Sequence, residues 1–113
     1  MSEIIDGISH INTDELKALL QNPDDQTVII DVREPFEYEA GHIPGVPLIP
    51  MGEIPYQLEE FDPAKDYVLI CRSGSRSFEV ARFLRHNGFE RVHNYSGGML
   101  GWDGEVESGL PAK

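Results

Sequence analysis

Cysteine is nearly absent from this chain, with Cys71 the one such residue among 113. An intrachain disulfide, an internal resolving thiol and a Cys-x-x-Cys redox centre are therefore excluded. A chain without disulfides fits a reducing compartment, and the cytoplasm is the expected location. No apolar run approaches the roughly 20 residues that span a bilayer. The first residues, from Met1 to Asp6, lack the basic start and apolar stretch of a secretory signal. Basic residues are scarce as well, nine Lys and Arg against 20 Asp and Glu, for a formal charge of −11. That balance argues against general binding to nucleic acid or to anionic membranes. Gly-x-Ser-x-Gly, internal repeats, low-complexity tracts and internal linkers are also missing. A hydrophobic content of 40% in this length suffices for one domain with one core.

What the chain does contain is a series of short apolar stretches separated by turn residues. Residues 27–32 (TVIIDV) make a β-branched run of strand length, and its lack of alternation fits burial on both faces, as in a parallel sheet. Residues 67–70 (YVLI) are a second such run, and residues 91–95 alternate enough for a last strand. Another short strand is expected near residues 46–49, within a loop carrying three prolines and two glycines (residues 41–50). Helical patterns lie between these runs. Asn12 and Thr13 offer N-caps, Glu15 can complete a capping box with Asn12, and Leu16, Leu19 and Leu20 form an apolar stripe that stops at Asn22 and Pro23. Pro35 suits the first turn of a short helix over 35–40 that Gly41 ends. A further short helix is expected over 55–60, broken by Asp62 and Pro63, and a longer one runs to Asn87 with Gly88 at its exit. Strands that alternate with helices predict the α/β class with a mainly parallel sheet. Phe78, Phe83, Phe89 and Trp102 are expected in the core.

Cys71 stands where the strand over 67–70 gives way to CRSGSRS (residues 71–77) and then to a helix. Backbone N–H groups of such a loop converge on one point, and the helix start adds partial positive charge. With Arg72 and Arg76 close by, a thiol placed there ionises readily. From Cys71 to Arg91 five arginines face two glutamates, a balance of +3, so the rest of the chain carries −14. A basic island in an acidic protein fits a small-anion site at Arg72 and Arg76, whereas Arg82, Arg85 and Arg91 read as a solvated helix face and its exit. Gly74 lets the backbone approach the sulfur. Ser73, Ser75 and Ser77 offer hydroxyl donors or a helix cap. His10, His86 and His93 have no metal-site spacing with Cys71, so no metal is expected, and His42 is expected to be a packed, hydrogen-bonded ring.

Taken in order, several segments together resemble the single-domain rhodaneses, a sulfurtransferase family. They are Asp31-Val32-Arg33-Glu34, Phe36-Glu37-Tyr38, Gly41-His42-Ile43-Pro44-Gly45, the 71–77 loop, Gly97-Gly98, Trp102 and Gly109-Leu110-Pro111. The resemblance implies one rhodanese-like domain over residues 1–113 with its core at about 8–111. Its mainly parallel central sheet would have about five strands, flanked by helices on both faces. It further implies that Cys71 takes a sulfane sulfur from a donor such as thiosulfate, holds it as a persulfide without any other cofactor, and yields it to cyanide or a thiol. Sulfur-donating or sulfur-accepting proteins are the other partners it suggests. Arg72, Ser73, Gly74, Ser75, Arg76 and Ser77 would form the persulfide-binding loop, Arg72 pointing outward to an anionic donor and Arg76 closing the loop. Asp31 and Arg33 would lie near that loop. The alternative for them is structural, Asp31 tethering loop backbone and Arg33 pairing with a glutamate. Glu34 and Glu37 are expected as surface charges. The chain departs from the family after Gly45, where alanine and, two positions on, asparagine are usual; Val46 and Leu48 stand there instead.

Loop length separates the chemistries open to such a cysteine. From Cys71 to Arg76 the loop has six residues, the length that in rhodanese-like proteins suits sulfur. The related cell-cycle phosphatases and arsenate reductases carry one residue more, which widens the cradle for phosphate or arsenate. Sulfur transfer is thus the leading expectation. A sulfur carrier or interaction module with little turnover of small donors comes second, its acidic surface suited to protein docking. Phosphatase or arsenate reductase activity comes third.

Overall fold

Alternation along the buried runs decides which side chains meet on each face of the sheet. The computed structural model describes residues 3–110; Met1, at the expected leaderless start, and Pro111 of the Gly109-Leu110-Pro111 motif lie outside them. Five strands, β1 (Glu3–Ile5), β2 (Ile8–Ile11), β3 (Thr27–Asp31), β4 (Asp66–Ile70) and β5 (Val92–Tyr95), form one sheet in the order β1-β2-β5-β4-β3. All neighbours run parallel except β1, which lies antiparallel to β2. Tyr67, Leu69 and Cys71 point to one face, where they join Val80, Ala81 and Leu84 of helix α3 (Ser75–His86) and Ile54. Val68 and Ile70 point to the other, against Leu16 of helix α1 (Thr13–Gln21), Ile43 and Tyr95. Both faces are thus covered, which explains why the central runs show no polar alternation. Among the described residues no helix is long and apolar enough to cross a membrane.

Several elements follow directly from their local sequence. Asn12 caps α1 by accepting the Glu15 N–H at 2.8 Å, and the Glu15 carboxylate accepts the Asn12 N–H at 3.0 Å. Helix α2 (Pro35–Ala40) begins at its proline and ends at Gly41. Gly88, with φ of +92°, follows Asn87 at the end of α3 and takes the left-handed turn that glycine favours.

Other elements differ from expectation. The hairpin of β1 and β2 was not foreseen; it turns on Asp6 and Gly7, both at positive φ, the geometry of a two-residue turn matched to strand twist. The strand expected near 46–49 is a single parallel bridge between Asp31 and Leu48. Pro47 and Pro50 lack the N–H that a longer ladder needs. The helix expected over 55–60 begins earlier, at Met51, and is a 3-10 segment to Glu60 with Pro55 inside it. Proline cannot donate the α-helical bond to the residue four before it, so the tighter winding is retained. Phe89 is buried, but Trp102 is half-buried and Phe83 is exposed on the outer side of α3. Substituting Asn12→Ala should lower stability by about 1 kcal/mol in a urea melt, since it removes one half of a reciprocal cap.

Candidate active site

Strand β4 ends at Ile70, and the next residue, Cys71, is fully buried with its side chain among the core groups facing α3. The chain then has three residues in which to turn from strand to helix. Gly74 makes this possible at φ of +92°, and its N–H donates to Cys71 Sγ at 3.1 Å. A side chain there is barred twice over: the backbone is left-handed, and a Cβ would come 2.4 Å from the Ser96 carbonyl oxygen. Gly98 meets the loop from the other side, where a Cβ would lie 2.4 Å from the Arg72 carbonyl oxygen. The segment after β5 is tied to the loop by Met99 N–H to Cys71 O at 2.9 Å and Leu100 N–H to Arg72 O at 3.0 Å.

The sulfur sits beside several donors. Burial pushes the Cys71 thiol up, but the Ser77 hydroxyl and the N–H groups of Ser77, Ser73 and Gly74 outweigh it, and the net direction is below the ordinary thiol value. Ser77 Oγ lies 3.3 Å from Sγ and is itself fully buried. Ser73 and Ser75 are exposed, with their hydroxyls 3.3 Å apart. Arg72 points to solvent.

Arg76 behaves differently from Arg72. Its guanidinium forms a two-pronged pair with Glu37 of α2, Nη1 to Oε1 at 2.6 Å and Nη2 to Oε2 at 2.8 Å. The expectation of Glu37 as a surface charge is therefore corrected: its carboxylate is largely covered and locks α2 to the start of α3. Arg76 above all, with the Glu34 N–H contact region and Arg33 adding to it, holds the Glu37 carboxyl down at about 2 against an ordinary 4.5.

Asp31 and Arg33, both buried, are each other's partners. Arg33 Nη2 donates to Asp31 Oδ2 at 2.9 Å and to the Gly41 carbonyl at 2.8 Å, and the Arg33 N–H donates to Asp31 Oδ1 at 3.0 Å. Arg33 thus pairs with an aspartate, not the glutamate of the structural alternative. Among the described residues the hydrogen bonds of this pair do not reach the 71–77 loop; the pair braces the turn that leads into α2 and its Gly41 exit. His42 is the packed ring expected: stacked 3.6 Å from Tyr38, with Nδ1 2.8 Å from the Tyr38 carbonyl and Nε2 3.2 Å from Glu107. Among the described residues no three His, Cys, Asp or Glu side chains gather as a metal site.

Three contributors escaped the sequence reading. Glu37 lies 39 positions from the arginine it holds. Asn94 of β5 is buried and hydrogen-bonded to Ser77 and Gly74. Gly98 was legible only as part of a glycine pair. Glu37→Gln should cost about 1–2 kcal/mol at pH 7, the pair being partly screened by solvent. Because the folded carboxyl titrates below the unfolded one, this contribution is full above about pH 4.5 and is lost as pH falls toward about 2. Urea melts at pH 7 and pH 3 should show the deficit of the variant narrowing at the lower pH.

Residues 12–105 match the rhodanese-like domain family. The chain is 44% identical over 100 residues to YtwF of Bacillus subtilis, covering 88% of this chain and 95% of that one. It is 34% identical over 104 residues to a sulfurtransferase of Allochromatium vinosum, covering 92% and 94% respectively. Among solved structures, a rhodanese-like domain protein from Staphylococcus aureus superposes with a TM-score of 0.78 at 39% identity, covering 88% of this chain and 97% of that one.

Proposed function

The chain belongs to the rhodanese-like domain family, and we propose that it is a sulfurtransferase in which Cys71 carries a sulfane sulfur as a persulfide. The observation that carries this reading is the position of the one cysteine, at the floor of a six-residue loop with backbone N–H groups directed at its sulfur. In the first step the Cys71 thiolate attacks the outer sulfur of thiosulfate. The S–S bond of the donor breaks, sulfite leaves with the bonding pair, and an anionic persulfide remains on Cys71. The loop N–H groups receive that negative charge without reorganising. In the second step cyanide or a thiolate attacks the terminal sulfur and expels the Cys71 thiolate. With no second cysteine in the chain, both loading and unloading fall to outside molecules.

The two loop arginines divide the work. Arg76 spends its charge on Glu37 and shapes the loop, while Arg72 remains free at the surface to meet an anionic donor. Asp31 and Arg33 support the site from a distance by fixing the turn before α2.

A carrier role, in which sulfur arrives from one protein and leaves to another, is the second reading. What favours it is the charge distribution, an acidic chain around a basic loop, which suits docking of a partner more than it suits a free anion.

Incubation with thiosulfate should leave the protein one sulfur atom heavier by mass spectrometry, and cyanide should remove that atom. Equal uptake by Cys71→Ser would sink the mechanism. Arg72→Ala should reduce kcat/KM for thiosulfate roughly tenfold, through loss of one charge-assisted contact, while leaving the fold intact. Rapid loading from a cysteine desulfurase together with negligible thiosulfate turnover would favour the carrier role.

A further inference from the structure

Asn94 sits in β5 at 1% exposure, facing the loop, and each end of its amide is engaged. Nδ2 donates to the Gly74 carbonyl at 3.0 Å and lies 3.4 Å from His10 Nδ1. Oδ1 accepts from the Ser77 hydroxyl. The Gly74 carbonyl can only accept, so it fixes which end of the amide is which. Behind the amide, His10 Nε2 is buried without a hydrogen-bond partner among the described residues.

Ser77 Oγ carries one proton but has two acceptors in reach, Asn94 Oδ1 at the shorter contact and Cys71 Sγ at 3.3 Å. A neutral thiol is a weak acceptor and an amide oxygen a good one. In the resting thiol the hydroxyl therefore points at Asn94, and the Ser77 oxygen is free to accept from the Cys71 S–H. Ionisation makes the sulfur a stronger acceptor. The hydroxyl can turn to it only by leaving the buried Asn94 oxygen unsatisfied. The lowering of the thiol pKa that the Ser77 hydroxyl would give through its 3.3 Å contact with Sγ is thus reduced by its competing bond to Asn94 Oδ1.

We propose that Asn94 is a positioning residue of the sulfur cradle. It pins the Gly74 peptide whose N–H meets the sulfur, and it withholds the Ser77 hydroxyl proton from the thiolate. The anion at Cys71 then rests chiefly on backbone N–H groups. A thiolate stabilised by fewer donors is the better nucleophile toward a sulfur donor. The charged and titratable groups around the cradle are Arg76 with its partner Glu37, the Asp31–Arg33 pair at the end of β3, exposed Arg72 and, behind Asn94, His10 on β2. The proposal deepens the reading of Cys71 as the sulfur-carrying group. Its test titrates the thiol with no sulfur donor present, so the two ideas can fail separately.

The test is the pH dependence of Cys71 alkylation by iodoacetamide in four proteins: the unaltered chain, Ser77→Ala, Asn94→Leu and the double variant. Ser77→Ala should raise the apparent thiol pKa by about one unit more in the Asn94→Leu background than in the unaltered chain, because only there does the hydroxyl serve the sulfur. Comparing the two backgrounds cancels any loosening of Gly74. Equal shifts, or a larger one in the unaltered chain, overturn the proposal. Circular dichroism and thermal melting check that each variant folds, and Asn94→Ala supplies a second background. If neither Asn94 variant folds, Ser77→Ala alone decides: a rise of about one unit or more overturns the proposal, and a smaller one supports it.

Discussion

The interaction on which the rest depends is the contact between two stretches of bare backbone, the 71–77 loop and the turn after β5. Gly74 and Gly98 press against the opposite main chain at distances no Cβ tolerates. That closeness lets the Met99 and Leu100 N–H groups bond the Cys71 and Arg72 carbonyls, which turn away from the sulfur, while the N–H groups of Ser73, Gly74 and Ser77 face toward it. An inward carbonyl would repel an anion; an inward N–H holds one. The polarity of the site is thus decided by main-chain orientation, and the charged side chains act around it.

The arginines illustrate how position overrides composition. Arg72 and Arg76 are four residues apart in the same loop, yet one meets solvent and the other is gripped by a nearly covered carboxylate. The grip fixes the first turn of α3, and α3 in turn supplies Ser77. Behind it, the buried Asp31–Arg33 pair holds the Gly41 carbonyl and with it the exit of α2. Around the site, charge is used first to set the angle between short elements, and at Arg72 it is left over for a visitor.

Much of this architecture was legible in the sequence because the signals were local. The apolar runs at 27–32 and 67–70 read as buried strands, the Asn12–Glu15 box marked a helix start, and the cysteine's place between strand and helix pointed to the candidate site. The Asp6-Gly7 turn was equally local, with Ile4, Ile5 and Ile8 around it, and the hairpin could have been read from it. Glu37 and Asn94 were of another kind. An acidic residue on a six-residue helix looks solvated until its distant arginine is placed beside it. An asparagine in an alternating strand looks outward until the loop folds over it. Long-range pairing assigned both roles, and no spacing within either segment encodes it.

The strand order carries a consequence for how the chain is made. Strand β2 is completed by β5, Ser9 lying opposite His93, so the hairpin of β1 and β2 has no sheet to join until β5 has been synthesised. Assembly of this small protein is therefore dominated by non-local contacts, which slows folding relative to helical chains of the same length. The turn carrying Gly98 emerges later still. A nascent chain thus holds Cys71 in an unclosed loop until the segment after β5 leaves the ribosome and completes its cradle.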